Sequence, residues 1–131
     1  TDMNINDDNN VLNILEKLGS CLRIEEDQFD AFTSIFGAGP AFISHLSNTL
    51  AKIAKEHGFE EPEPWIREIL DGTSHIHKSD EKNNFEKIVD MVASKGGVTE
   101  AALNKINEEG IEKIWNEAIN DAILKSKALG D

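Results

Sequence analysis

The sequence predicts an all-α domain that contains about six helices. Apolar residues recur every three or four positions along most of the chain after residue 25, which is the spacing of one buried helix face. Glycine interrupts this pattern at intervals that suit ordinary helices, as at Gly58 and Gly110. The stretch SCLRI, Ser20–Ile24, is the only one that alternates in the manner of a strand.

The composition indicates one globular domain and excludes several kinds of partner. The 131 residues are enough for a core, and the formal net charge is −12. Such a chain repels phosphate, so we expect neither nucleic acid nor a membrane surface as a partner. No apolar run reaches the roughly 18 residues of a membrane span. Cys21 is the single cysteine and cannot form an internal disulfide, which favours a reducing, cytoplasmic location.

The first 25 residues predict a helix followed by a short strand. Asp7 or Asp8 is placed to cap a helix that ends at Leu18, with Gly19 as its stop. Ser20–Ile24 then forms the strand. Because one strand cannot stabilise itself, we expect it to pair with a sheet that these residues do not contain, or with another chain.

The middle of the chain predicts three helices, and a turn that contains a proline separates the first from the second. A helix begins near Glu25 and is broken by GAGP, which places Pro40 at the first position of the next helix. That helix runs to about His57. Another begins near Pro64 and is followed by a polar loop at Lys78–Asn84.

The last third predicts three more helices. Phe85–Val92 forms a short one, and Thr99 is placed to cap the next, which closes at Gly110. The final helix, Ile111–Leu129, carries apolar residues on more than one stripe, which favours a helix shared with a second copy of the chain. The alternative is a central helix in a monomeric bundle. The apolar residues are Ile111, Ile114, Trp115, Ala118, Ile119, Ala122, Ile123 and Leu129.

Two glycine junctions are candidates for function. At the first, Gly37 and Gly39 permit positive φ and close backbone approach, but no strand precedes them as a dinucleotide fingerprint requires. At the second, SKGGVT, successive amides open a helix and form a nest for an anion such as a carboxylate. Thr99 either caps that helix or offers its hydroxyl outward. The alternative is a plain loop with a threonine cap.

Taken together, the stretches FTSIFGAGPAF, VASKGGVTEAAL and GIEKIWNEAINDAILKSKALG resemble the C-terminal half of pyrroline-5-carboxylate reductase. The resemblance covers about Val11 to Gly130. The agreeing positions are Thr33, Gly37, Gly39, Pro40, Ala41, Ser94, Gly96, Gly97, Thr99, Ala102 and Leu103. The departing positions are Phe36 and Ala38 for serine, Phe42 for tyrosine, Lys95 for proline and Val98 for threonine or alanine.

The resemblance implies a division of the chain and a set of site residues. Residues 1–25 would be the tail end of a Rossmann cofactor domain, and residues 26–131 a helical dimerisation and substrate-binding domain with the 6-phosphogluconate-dehydrogenase C-terminal fold. Thr99 would lie against the imine ring and the nicotinamide as the catalytic position. Gly37, Gly39 and Pro40 would form a structural turn. The substrate-binding residues would be Ser94, Gly96, Gly97, Val98 and Thr99.

The function implied is the reduction of 1-pyrroline-5-carboxylate to L-proline with NADPH or NADH, by a homodimer or higher oligomer. Because the chain has no dinucleotide fingerprint, we expect it to bind no cofactor and to be inactive alone. Two alternatives stay open. One is a non-catalytic helical dimerisation module, and the other is a related imine or 3-hydroxyacid reductase with a different substrate.

We expect no metal site. His75 and His77 are two residues apart, so on a helix their side chains point roughly opposite ways. Cys21 has no recognisable partner for nucleophilic chemistry.

Overall fold

A computed structural model describes residues 5–79 and 84–130, and all regular structure in these ranges is helical. The prediction of an all-α fold is confirmed. The helices are α1 (Ile5–Leu15), α2 (Phe29–Phe32), α3 (Gly39–Glu56), α4 (Glu63–Ser79), α5 (Phe85–Val92), α6 (Val98–Glu108) and α7 (Ile111–Gly130). A 3-10 turn at Glu26–Gln28 precedes α2, and a π-helical segment at Thr33–Gly37 follows it.

The start of the chain differs from the prediction in two respects. Asp7 and Asp8 lie inside α1, so neither caps it, and the regular helix ends at Leu15 instead of Leu18. A tighter turn continues to Gly19, whose amide donates to the Leu15 carbonyl oxygen at 3.2 Å. The predicted strand at Ser20–Ile24 is wrong for this structure, since those residues are irregular. A strand exists only with a ladder partner, and the described residues supply none.

The corner between α2 and α3 is built from a π turn. It closes with a hydrogen bond from the Ala38 amide to the Thr33 carbonyl oxygen at 3.1 Å. Neither Gly37 nor Gly39 adopts the positive φ that we expected, because the chain turns through Ala38 at φ −82° and ψ −10°. α3 begins one residue early, so Pro40 is its second residue. The missing N–H of proline costs nothing there either.

α3 and α4 form a hairpin whose tip is well defined. Gly58 has φ +90°, and the Phe59 amide donates to the Ala54 carbonyl oxygen at 3.1 Å, which is a glycine-based helix stop. Lys55 donates to the Glu63 carboxylate across the tip. This hydrogen bond is the largest cause of a lowered pKa of Glu63. α4 continues to Ser79, past the predicted start of the polar loop, and residues 80–83 lie outside the described part of the chain.

α7 packs against α2 and the π segment near its C-terminal end and against α6 near its start. Phe42 of α3 and Trp115 of α7 meet edge to face, with ring centroids 5.2 Å apart. Ser34, on the π segment, keeps only 5% of its surface exposed. The C-terminal helix is therefore the element that ties the corner to the end of the chain.

The core of one copy is small. Among the described residues, the buried hydrophobic ones are Ala51 and Ile88, at 5% and 8% exposure. Large side chains such as Leu18, Trp65 and Leu129 lie exposed instead. The accessible surface is 11395 Å². A compact monomer of 14.5 kDa would expose about 6900 Å². The helices of one copy therefore leave most of their large hydrophobic side chains exposed to solvent.

Candidate anion-binding turn

The turn between α5 and α6 requires glycine at two positions for different reasons. Gly96 has φ +73°, a conformation that other residues rarely adopt. Gly97 has an ordinary φ of −85°, but a Cβ there would lie 2.6 Å from the Ser94 Oγ and 2.8 Å from the Ser94 carbonyl oxygen. The Gly97 amide donates to that same carbonyl oxygen at 2.8 Å. Gly97 thus lets the backbone close tightly on Ser94 before α6 begins.

The first residues of α6 present amides without acceptors. Gly97 is the N-cap, and the Ala101 amide makes the first helical bond, to the Gly97 carbonyl oxygen at 3.1 Å. Within the described residues, the amides of Val98, Thr99 and Glu100 have no acceptor. These amides lie at the positive end of the helix dipole, where an anion is favoured.

Two of the expected substrate-binding residues, Gly96 and Gly97, have amides that already have acceptors. The Gly97 amide bonds to Ser94, and the Gly96 amide donates to Glu100 Oε2 at 2.7 Å. The Val98 amide is open. The free donors therefore lie two residues further along the chain, at Val98 and Thr99 instead of Gly96 and Gly97.

Thr99 does not cap α6. Because the helix begins at Val98 with Gly97 as its N-cap, Thr99 is the second helical residue, and no side chain caps the helix. Its half-buried side chain makes no hydrogen bond with another described residue. The expected threonine cap is therefore not formed, and a hydroxyl that faces outward stays a prediction.

The surroundings of the turn are open and carry both apolar and charged side chains. Val98 is 90% exposed, and Met91 and Val92 at the end of α5 are also exposed. Lys95 is exposed and has no ion-pair partner in the described part of the chain. In a single copy the turn is thus partly exposed to solvent, and Lys95 is the cation that it carries.

The second glycine junction lies elsewhere. Gly37, Gly39 and Pro40 set the angle between the π segment and α3, and no hydrogen bond of the described residues joins them to the turn at Gly96. A Cβ at Gly39 would meet nothing within 4 Å. Gly37 ends the π segment, and Gly39 and Pro40 are the first two residues of α3.

Glu100 is the functional candidate that we did not identify from the sequence. The sequence feature that could have identified it is its position, because an acid three residues after the N-cap of a helix can reach back to the preceding amides. Here it reaches Gly96, one residue before the N-cap.

Among the described residues, no group of His, Cys, Asp and Glu could hold a metal ion. His75 Nδ1 lies 3.6 Å from Asp71 Oδ1, and the His77 ring packs on Phe85 at 4.7 Å between centroids. No helix in the described ranges is long and apolar enough to cross a membrane.

Comparison with known proteins links this fold to one family. Residues 26–129 match the family model described as pyrroline-5-carboxylate reductase dimerisation. Curated proteins named pyrroline-5-carboxylate reductase are similar. That of Staphylococcus haemolyticus is 33% identical over 122 residues, which are 91% of this chain and 44% of that protein. That of Staphylococcus saprophyticus is 29% identical over 118 residues, 88% of this chain and 43% of the relative. The chain spans less than half the length of these relatives.

Solved structures share the fold. The 1-pyrroline-5-carboxylate reductase of Streptococcus pyogenes superposes with a TM-score of 0.79 at 27% identity, over 96% of this chain and 49% of that chain. The Coxiella burnetii pyrroline-5-carboxylate reductase gives a TM-score of 0.87 at 22% identity, over 97% of this chain and 48% of that one. The Plasmodium falciparum pyrroline carboxylate reductase, with NADP bound, gives 0.83 at 24% identity, over 100% of this chain and 50% of its own.

Proposed function

The chain belongs to the pyrroline-5-carboxylate reductase dimerisation family, and from this premise we propose that it pairs subunits and binds substrate in an oxidoreductase that reduces 1-pyrroline-5-carboxylate to L-proline. The observation that carries the proposal is the glycine turn inside the family match. It presents open amides at Val98 and Thr99 where a small carboxylate would bind.

Pairing of two copies is supported by the large exposed surface of one copy. One copy exposes about 4500 Å² more than a compact monomer of its mass would. The excess on one copy alone is as large as the total area, summed over both partners, that a large obligate homodimer interface buries. The exposed large hydrophobic residues of α3 follow one helical stripe, at Ile43, Leu46, Leu50 and Ile53. We assign this stripe and the wide apolar surface of α7 to a homodimer interface, from which a higher oligomer can form.

The substrate would bind with its carboxylate on the turn. The amides of Val98 and Thr99 donate to the carboxylate oxygens, and Ser94, Gly96 and Gly97 hold the turn in shape. Charge-assisted bonds of this kind contribute roughly 1.5–3 kcal/mol each. The Thr99 hydroxyl then faces the imine ring. No side chain of this chain is assigned as a general acid, so its contribution is to position the substrate.

The reaction needs a nicotinamide cofactor, NADPH or NADH, which supplies the hydride. The described residues do not fit a dinucleotide, because they contain no strand that leads into a glycine-rich turn and a helix. Their positive-φ glycines, Gly58, Gly96 and Gly110, all lie between helices. We therefore derive no hydride-transfer step from this chain. The cofactor-binding unit would lie outside residues 26–131, with residues 1–25 as its adjoining segment, and the location would be cytoplasmic.

Ligand titration of the ¹⁵N-labelled chain, followed by NMR, tests the carboxylate site. L-proline and cyclopentanecarboxylate should shift the amides of Val98 and Thr99, whereas pyrrolidine, which lacks the carboxylate, should not. The Gly110 turn is the internal control, because it has a similar φ of +76° and its amide is bonded to the Asn107 carbonyl oxygen at 2.9 Å. Unchanged Val98 and Thr99 amides at millimolar proline would contradict substrate binding.

A second candidate function is that of a dimerisation module without substrate contacts. The observation that favours it is the occupation of the Gly96 and Gly97 amides by the chain's own acceptors. The same titration separates the two, since a pure packing role predicts no response to any carboxylate.

A further inference from the structure

The glycine turn already holds an anion, and that anion belongs to the protein. Glu100 Oε2 accepts from the Gly96 amide at 2.7 Å, which is the length of a charge-assisted hydrogen bond. The contact spans four residues, from the third residue of α6 back to the residue before its N-cap. The turn therefore binds a carboxylate in the state that the structure describes.

The same carboxylate would lie beside the one that the substrate brings. Gly96 and Val98 are two residues apart, so a ligand on the Val98 and Thr99 amides would approach the Glu100 oxygens. Two carboxylates at the same turn repel each other, because water screens charges near a protein surface only in part. Both anions also compete for the positive end of the same helix.

Within the described residues, one polar contact holds the Glu100 carboxylate, the hydrogen bond from the Gly96 amide. Lys95 and the other described cations form no ion pair with it. The side chain has three rotatable bonds and is only half buried. Its carboxylate can therefore leave the turn at the loss of that one hydrogen bond.

We propose that Glu100 is a built-in competitor that occupies the glycine turn and must swing away before the substrate carboxylate binds. The proposal rests on the function proposed above and adds regulation of that site. A site that is competent only in the fraction of molecules with Glu100 displaced has its affinity reduced by that fraction. Glu100 thus weakens binding of every carboxylate and selects ligands whose remaining atoms gain enough contact to displace it.

The test compares Glu100→Ala and Glu100→Gln with a matched control, Glu112→Gln. Glu112 also lies in the first turn of a helix, α7, and its replacement makes the same change in net charge, without a contact to the glycine turn. Each ¹⁵N-labelled whole chain is titrated with L-proline. For Glu100→Ala we expect an apparent Kd about fivefold to tenfold lower than that of the original chain. The Kd of Glu100→Gln should lie between those of Glu100→Ala and the original chain. The Kd of Glu112→Gln should equal that of the original.

Two further readouts separate competition from a structural role. In the absence of ligand, the Gly96 amide proton should move upfield in Glu100→Ala and stay in place in Glu112→Gln. Urea unfolding should show that Glu100→Ala is no more stable than the original chain, because it loses a bond. Tighter binding by a variant of equal or lower stability is the expected combination, and a merely structural Glu100 predicts the reverse.

The outcomes are distinguishable from failure of the proposed function. If the original chain binds proline and neither Glu100 variant binds it more tightly, the competitor is excluded while the substrate site stands. An unmoved Gly96 amide in Glu100→Ala excludes it as well. If no chain responds to proline but the Gly96 amide does move in Glu100→Ala, the proposed substrate site fails and the competitor fails with it, although the Glu100 contact is real.

Discussion

Asp30 and Ser126 are 96 residues apart in the sequence and share a hydrogen bond of 2.6 Å between Ser126 Oγ and Asp30 Oδ1. The bond is partly buried and joins α2 to the last turns of α7. It is a side-chain bond between distant parts of the chain, in a structure whose other side-chain bonds are mostly local.

Replacement of Ser126 by Ala should lower the free energy of unfolding by about 1–2 kcal/mol, because a partly buried carboxylate loses a donor. The measurement is urea unfolding at constant protein concentration. Ser44→Ala is the control, since its Oγ donates to the Pro40 carbonyl oxygen of its own helix at 2.7 Å and should matter little. A double-mutant cycle with Asp30→Ala should give a coupling energy above about 0.5 kcal/mol. Additive losses would mean that the two side chains do not interact.

Gly97→Ala should open the turn, because its Cβ would lie 2.6 Å from the Ser94 Oγ and 2.8 Å from the Ser94 carbonyl oxygen. We expect a stability loss of about 1–3 kcal/mol and loss of the proline response at Val98 and Thr99. The control is Gly72→Ala within α4, where the added Cβ meets nothing within 4 Å. That change should stabilise the protein by about 0.5–1 kcal/mol. An unaltered proline titration of Gly97→Ala would argue against the turn as the site.

Sedimentation at micromolar concentration should show a dimer and no monomer near 14.5 kDa. Leu46→Glu and Leu50→Glu, on the exposed stripe of α3, should each shift the population toward monomer, because a charge would be buried in the shared core. Lys52→Gln makes the same change in net charge on the opposite side of α3 and should leave the dimer intact. If the original chain is a monomer, the proposed homodimer is contradicted.

The bond between Lys55 and Glu63 predicts a defined dependence of stability on pH. The hydrogen bond from Lys55 keeps the pKa of Glu63 below its ordinary 4.5 in the folded protein. A lowered pKa stabilises the folded state above the unfolded pKa, and this contribution is lost as the pH falls through the folded value. Lys55→Met should therefore be less stable than the original at pH 7, and the difference should vanish once the pH is well below the folded-state pKa of Glu63.

Because Glu63 is exposed, we expect that difference to be small. Lys113→Gln is the control, since its contact with Glu117 is longer, at 3.8 Å, and lies within one helix. A difference between Lys55→Met and the original that persists unchanged in acid, where Glu63 is protonated in both chains, would exclude the ion pair as its cause.

The chain alone should not oxidise NADPH in the presence of 1-pyrroline-5-carboxylate, because its described residues offer no dinucleotide site. Absorbance at the NADPH band measures this directly. Turnover above a no-protein control would mean that the helical part binds the cofactor.

Most helices after residue 25 could be predicted from the sequence, since local spacing and local stop residues determine them. Gly58 and Gly110 end α3 and α6 as expected, and both have positive φ. α5 spans the predicted Phe85–Val92. The same reasoning failed at Ser20–Ile24, where the alternating pattern of Leu22 and Ile24 predicts a strand only if a partner strand exists.

The sequence alone determined where the helices lie and that a glycine turn opens α6, because backbone preference and apolar spacing act between neighbouring residues. The tertiary structure decided which amides that turn leaves free. Gly97 places its N–H on the Ser94 carbonyl and Glu100 covers Gly96, so Val98 and Thr99 remain open. The acceptor to which an amide donates depends on backbone angles and on the reach of one side chain. The spacing of residue types specifies neither of these.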